Sequence, residues 1–560
     1  MAIHFLDLET EVILIILEFL HDASPRSSKA VLLTNKFLNS AARLIRDRQK
    51  TLTLTNSIEQ SLSCHQWTHD DSTLSNLRHL KVEKPPDSDS TFQGHSPDHA
   101  EYKDFVESIK PFNKLVSRLQ SLKSLTWNAG PVTHTLLQTL HKHHPKAVLK
   151  IFCFDRWDSS LDHLDESETA LSIYPTLKCF RASGGVSFRG HFGMPPQYSF
   201  AAFKSIVANS QSISYAGILL PNYIAQVEFL QSEEDLLKVS TTRKKCRSLK
   251  ALTLDAPMLQ LSKDLLIELD KYIEISNLES VKLSRGLPEV GYFEHAATML
   301  PNLKDVSWNF SAIRGDHPTQ IPLLKAANDY ILTCAPLRTL SLWGWTRVIS
   351  LPDLINRHGQ TLTSLHLHER EEPRHTADLV SLGVDDEDRE RSLSLLDVQL
   401  IKRNCPNLQD LSIDVARHGG FDLQEGSNIS QLLDELADSG SQLRKLQIYF
   451  TTDGLAALFH PQSGSGNSSD DEESQSYTTN LELVLQKYVR SIWSRLYSGT
   501  STGERLLDVK FGEWESTFWR QSRFRNGSVI NMSDVRRYFE VRPHERDDHV
   551  GECEIRMRKK

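Results

Sequence analysis

The stretch Cys334-Ala335-Pro336-Leu337-Arg338-Thr339-Leu340-Ser341-Leu342-Trp343 sets three leucines at the spacing Leu-x-x-Leu-x-Leu. Alternate residues of a strand point to opposite faces, so Leu340 and Leu342 share one face while Ser341 and Trp343 share the other. Just upstream, Leu323, Ala327, Tyr330, Ile331 and Cys334 fall on one side of a helix from Ile321 to Cys334. A helix therefore feeds a strand, and the unit recurs. Strand copies begin at Leu77, Leu122, Leu177, Leu249, Leu278, Leu303, Leu337, Leu362, Leu408 and Leu443. Several share their approach: Tyr174-Pro175-Thr176-Leu177, Leu300-Pro301-Asn302-Leu303, Cys405-Pro406-Asn407-Leu408 and Cys246-Arg247-Ser248-Leu249. Helical stretches from Asp264 to Ile275, Tyr292 to Leu300, Leu395 to Cys405 and Ile429 to Ala437 stand ahead of further copies.

A strand and helix pair of about 25 to 45 residues cannot bury its own apolar face, whereas stacked pairs share a continuous core. The pattern resembles the leucine-rich repeat family, particularly the kind with Cys or Pro just before the strand. That resemblance implies an α/β solenoid with a parallel sheet on the concave side and helices outside. Successive starts lie 45, 55, 72, 29, 25, 34, 25, 46 and 35 residues apart, which predicts inserted loops. The family's Asn after the strand is largely missing.

The N-terminal segment has a different character. Thr10 is placed to cap a helix starting near Glu11, and apolar residues run almost unbroken to Leu20. Val12, Ile16, Phe19 and Leu20 form one face, and Ile13, Leu14 and Leu17 the other, so this helix needs cover on both sides. A second amphipathic stretch from Ser27 to Arg46 can supply one cover; the solenoid or another protein supplies the other.

Leu8-Glu9-Thr10-Glu11-Val12 with Ile16 and Leu20, followed by Leu33-Thr34-Asn35-Lys36-Phe37, resembles the F-box family, with Glu9 where the family has Pro and Phe37 where it has Trp. The resemblance implies a substrate receptor that docks on a Skp-family adaptor within a cullin ubiquitin ligase. Leu8, Glu11, Val12, Ile16, Phe19, Leu20, Leu33 and Phe37 would carry that docking. The alternative is a non-catalytic leucine-rich-repeat scaffold or inhibitor, whose N-terminal helices only cap the solenoid.

The domain organisation expected is a helical module over 1–50, the solenoid over 51–460, a disordered acidic linker over 461–476, and a C-terminal helix and strands over 477–560. The linker is rich in Ser and Gly and ends in Asp470, Asp471, Glu472 and Glu473, with Ser468 and Ser469 ahead of the acids as candidate phosphorylation sites. Beyond it, Leu481 to Tyr497 reads as a helix, and Leu506 to Phe511 and Cys553 to Met557 as strands.

With 64 Lys and Arg against 72 Asp and Glu, the net charge of -8 disfavours nucleic acid as a general partner. Seven cysteines without tight spacing form no disulfide framework and fit the cytosol or nucleus. The apolar run from Val12 to Leu20 is too short to span a bilayer and is preceded by acids, so neither a membrane anchor nor a signal sequence is expected. Cys64, His65 and His69, and His141, His143 and His144, lack a second cluster at zinc spacing. No phosphate loop or nucleophile elbow occurs, so no catalytic residue, metal or cofactor is expected.

The expected working surface is the concave sheet, where Ser341, Trp343, His366, His368, Asp414 and Tyr449 project to solvent and meet a protein substrate. Trp343 is either an interface anchor or covered by the segment from Gly344 to Ile349. Trp127 and Trp308 occupy inward positions and belong to the core.

Overall fold

In the computed structural model, the inward positions of the repeated motif are buried as the alternation requires. Leu340 and Leu342 are fully covered, and so are Leu125 and Trp127, Val306 and Trp308, Leu365 and Leu367. The residues described are 12–13, 16–17, 38, 48–53, 67, 69–83, 100–155, 163–183, 197–219, 245–255, 260–283, 287–310, 320–346, 348–369, 393–415, 427–437, 443–450, 471–497, 506–511, 521–523, 529–531, 537–543 and 553–558. Among them the chain is α/β, with twelve α-helices and a sixteen-stranded, mostly parallel sheet.

The chain divides into two compact units, Met1–Leu278 with Leu283–Leu287, and Glu279–Lys282 with Pro288–Lys560. The boundary falls inside the stretch expected to be one continuous solenoid. The first unit carries β1 (Gln49–Thr53), β2 (His79–Glu83), β3 (Ser124–Asn128), β4 (Val148–Asp155), β5 (Leu177–Ser183), β6 (Tyr215–Leu219) and β7 (Ala251–Asp255), each parallel to the next. Its helices are α1 (Asp71–Asn76), α2 (Ala100–Arg118), α3 (His134–His143), α4 (Glu166–Ser172), α5 (Gln197–Asn209) and α6 (Lys263–Asp270). Phe112 of α2 meets Trp127 of β3 at 5.7 Å, and Phe203 of α5 stacks on Phe180 of β5 at 5.9 Å, so the helices lie on the sheet face that the inward residues occupy.

The second unit continues with β8 (Ser280–Leu283), β9 (Asp305–Asn309), β10 (Thr339–Trp343), β11 (Ser364–His368), β12 (Asp410–Val415), β13 (Lys445–Phe450) and β14 (Leu506–Phe511). Between them run α7 (Val290–Met299), α8 (Ile321–Thr333), α9 (Leu351–His358), α10 (Leu395–Asn404), α11 (Asn428–Ala437) and α12 (Asp471–Tyr497). The ladder then reverses: β15 (Arg537–Pro543) pairs antiparallel with β14, and β16 (Cys553–Arg558) with β15. The strand over Arg537–Pro543 was not anticipated. Helix α12 begins at Asp471, so the acidic end of the expected linker is helical, while 461–470, with Ser468 and Ser469, lies outside the described residues.

All ten motif copies become strands, and three further rungs appear at β1, β4 and β6. They escape the motif because the leading leucine's place is taken by Lys146 at β4 and Ile213 at β6, and at β1 Lys50 stands opposite Leu80. The gap of 72 residues between Leu177 and Leu249 therefore holds one more rung midway, at Ile213, and part of the expected looping is repeat.

Local chemistry sets the helix ends. Thr133, Ser262, Ser350 and Ser394 each accept a main-chain N–H from the first turn, and Asp165 with Glu168 forms a reciprocal capping box. Buried Cys405 closes α10 by donating its N–H to the Ile401 carbonyl, and Pro406 prevents continuation. Gly359, after α9, approaches the next unit so closely that an added Cβ would lie 2.6 Å from both the Asn404 and the Ile355 carbonyl oxygens. Neither backbone oxygen can retreat cheaply. Gly359→Ala is expected to destabilise the second unit by about 1 to 3 kcal/mol, read as a lower urea midpoint; an unchanged midpoint would show the two elements free to part.

Candidate functional site

Parallel pairing sets outward residues of neighbouring strands side by side, about 4.8 Å apart. In β10 to β14 one row reads Ser341, His366, Ser412, Gln447 and Asp508. In a second row, Trp343 pairs with His368, and Asp414 with Tyr449 and Lys510. All six residues expected at the working surface thus come together on four successive strands of the second unit.

Their exposure differs from expectation. His368, Asp414 and Tyr449 are 4%, 6% and 5% exposed, and Ser341, Trp343 and His366 are half-buried. The cause is cross-strand packing of large flat side chains. The His368 ring stacks on Tyr449 with centroids 4.0 Å apart, and the Trp343 ring meets His368 edge-on at 4.4 Å. His368 Nδ1 donates to Asp414 Oδ1 at 2.5 Å, and the Glu369 main-chain N–H donates to Asp414 Oδ2. Lys510 Nζ donates to the Tyr449 hydroxyl at 3.2 Å and sits 4.7 Å from its ring centroid. The Gln447 amide donates to Ser412 Oγ at 2.9 Å and also to the Tyr449 hydroxyl. Each outward side chain shields the next, so half of the expected contact surface is consumed by its own neighbours.

Beside this cluster, Gly344 takes φ of 70°, a left-handed conformation that suits glycine, and donates its N–H to the His368 carbonyl. The chain then turns so that Trp345, Val348 and Ile349 are buried, while Thr346 donates its N–H and hydroxyl to Glu369 Oε2. His366 is pushed down to about 4, chiefly by burial and then by Lys445, Lys510 and Lys282. It is therefore neutral near pH 7, and the cluster presents lysine charge rather than imidazolium.

Lys510, Glu369 and Gln447 were not singled out in the sequence. Lys510 lay in a strand read as a closing element; aligning Leu507 and Val509 with Leu446 and Ile448 would have put it beside Tyr449.

Burial pushes the thiols of Cys179 and Cys334 up to about 11 and that of Cys405 up to about 12, away from the thiolate. Among the described residues, no group of three or more His, Cys, Asp or Glu side chains is placed to hold a metal ion. A cleft of about 130 Å³ between α10 and α11, lined by Val398, Ile401, Cys405, Leu408, Leu411 and Leu436, is smaller than the few hundred Å³ usual for a small-molecule site.

At the N-terminus, Val12, Ile13, Ile16 and Leu17 are helical. Ile13 and Leu17 are each 1% exposed, whereas Val12 and Ile16 are 39% and 38% exposed. The remaining expected docking residues, Leu8, Glu11, Phe19, Leu20, Leu33 and Phe37, lie outside the described residues. No family model matches the chain, and no curated protein matches it either.

Proposed function

We propose that this chain is an F-box-type substrate receptor: its N-terminal helix docks on a Skp-family adaptor and through it a cullin ubiquitin ligase, while leucine-rich-repeat units hold a protein substrate. Proximity is the mechanism, since holding substrate near a ligase core raises its effective concentration there. The observation that carries the reading is the split on the first helix. Ile13 and Leu17 are covered by the chain itself, and the apolar pair Val12 and Ile16, one turn apart, stays open. A helix serving only as a cap has no use for a second apolar face in water, whereas a docking helix requires one.

The full chain carrying Val12→Asp and Ile16→Asp is expected to lose at least about tenfold in capture of a Skp-family adaptor, because two charges would enter an apolar interface. Its circular dichroism should match the parent, since both positions are exposed. Adaptor capture at parental strength, or none by the parent, would remove the docking role and leave a binding scaffold.

A further inference from the structure

The first unit has an outward sheet face of a different kind. Registers place Lys81, Thr126, Lys150 and Cys179 in one row from β2 to β5, with Arg181, Gly217 and Thr253 in the next row from β5 to β7. At the N-terminal edge of the same strands stand Arg48, Arg78, Lys123, Lys178 and Lys250: Arg78 donates its main-chain N–H to the Arg48 carbonyl and Lys123 to that of Arg78 at 2.7 Å, while Lys178 and Lys250 are each bonded to Ser214 between them. Eight cations thus line one stretch of sheet in a chain whose net charge is -8.

In the second unit, cations at comparable positions are matched by acids. Lys304 pairs with Glu279 at 2.8 Å, Arg338 with Asp305 at 2.7 Å, and Lys445 with Asp508 at 3.5 Å. In the first unit Lys81 pairs with Glu83 on its own strand, but among the described residues the side chains of Lys150, Lys178 and Arg181 make no hydrogen bond or ion pair. The register sets Lys150 directly beside Cys179, with Arg181 two residues further along the same strand. Arg181 reaches that place across Gly217, where a Cβ would lie 3.4 Å from the Arg181 stem and 3.2 Å from the Tyr215 hydroxyl. Two residues beyond Lys150 on β4, Phe152 is 41% exposed. An uncovered aromatic among unmatched cations is the composition of an interface centre.

We propose that this face, centred on Lys150, Phe152 and Arg181, binds an acidic segment of a partner protein that also carries an apolar side chain for Phe152. The assignment deepens the receptor reading above by naming the substrate's chemistry, and it rests on that reading only for calling the partner a substrate. A protein segment fits better than a nucleic acid. Glu83 and Asp255 stand at the C-terminal ends of β2 and β7, where an unbroken phosphate backbone would meet them. A short acidic peptide can lie between, and Phe152 gives it an apolar anchor.

The test is a fluorescence-anisotropy titration of the full chain with a labelled twelve-residue peptide in which glutamates flank a central Phe-Leu pair. Binding should weaken as salt rises and fall about tenfold or more in the Lys150→Glu, Arg181→Glu double variant, with a smaller loss in Phe152→Ser. All three positions point away from the helices, and circular dichroism should confirm intact folding. Equal binding by the double variant, no binding by the parent, or tighter binding of a single-stranded oligonucleotide of equal charge would each overturn the assignment. The Val12→Asp, Ile16→Asp protein should bind the peptide like the parent. A chain that holds the peptide but no adaptor therefore loses only the receptor reading, and one that holds the adaptor but no peptide loses only this face.

Discussion

Glu268→Ala is expected to destabilise the first unit by about 3 to 5 kcal/mol, the cost of leaving a buried cation without its counter-ion. Lys204 on α5 is 3% exposed, and its Nζ lies 3.2 Å from Glu268 Oε1 on α6. Lys271 reaches Glu268 Oε2 at 2.7 Å, and the Tyr272 hydroxyl donates to Oε1 at 3.2 Å. Lys204 also stands 5.0 Å from the Tyr272 ring centroid, so one carboxylate organises three side chains. Burial alone would raise the Glu268 pKa, but the bonds from Lys271 and Lys204 outweigh it and hold the carboxyl below its ordinary value.

The sign of the pH effect follows. With the folded value depressed, the contribution is complete above the ordinary glutamate range and disappears as pH falls through the folded value. Hydrogen exchange across α5 and α6 should accelerate in Glu268→Ala at pH 7, and the difference from the parent should shrink in acid. The double replacement Lys204→Met with Glu268→Leu removes both charges and should cost less than the single change. A Glu268→Ala protein within about 1 kcal/mol of the parent would mean that Lys204 finds water.

Phe293→Ala is expected to cost the second unit a comparable amount, about 3 to 5 kcal/mol. Phe293 of α7 is 1% exposed and lies 5.4 Å from Tyr292, 5.8 Å from Trp308, 5.9 Å from Tyr330 and 6.1 Å from Phe310. It bridges α7, β9 and α8, so its loss opens a cavity shared by two successive units. The tryptophan emission of this unit should shift red at lower urea than in the parent. Tyr330→Phe supplies the contrast. The Tyr330 hydroxyl is buried with no hydrogen-bond partner among the described residues, and burial holds its pKa well above the ordinary value. Removing that hydroxyl should leave stability unchanged or raise it. A loss above about 1 kcal/mol in Tyr330→Phe would point to an internal water bonded there.

Most of the fold was legible because burial on one side of a strand imposes a period that survives in the sequence. Leu337, Leu340 and Leu342 announce their own rung, and nine other leucine-led copies do the same. The rungs at β4 and β6 were hidden because Lys146 and Ile213 stand at the leading position ahead of two inward apolar residues, and that at β1 because Lys50 stands where its neighbour has Leu80. The grouping of Ser341, Trp343, His366, His368, Asp414 and Tyr449 also followed from alternation, since outward positions of adjacent parallel strands must meet. Their burial did not follow, because it depends on the ring of Tyr449 lying against that of His368 rather than standing into water. The cationic face of the first unit was illegible for another reason. Arg78, Lys123, Lys178 and Lys250 are separated by 45, 55 and 72 residues and come onto one edge of the sheet only through the ladder, with β4 and β6 between the last three.

The reversal of strand direction after β14 bears on solubility. A parallel ladder ends in a row of open main-chain N–H and C=O groups, a template on which another chain could continue the sheet. Here two antiparallel strands follow, and the outer one, Cys553–Arg558, pairs with β15 from Tyr538 to Pro543 and carries the exposed Arg556. A copy adding edge to edge in antiparallel register about Arg556 would set two arginines opposite each other, a like-charge pair that disfavours the addition. The closing pair thus guards an array of repeated strands against polymerising through its own end, a hazard that grows with every rung such a protein acquires.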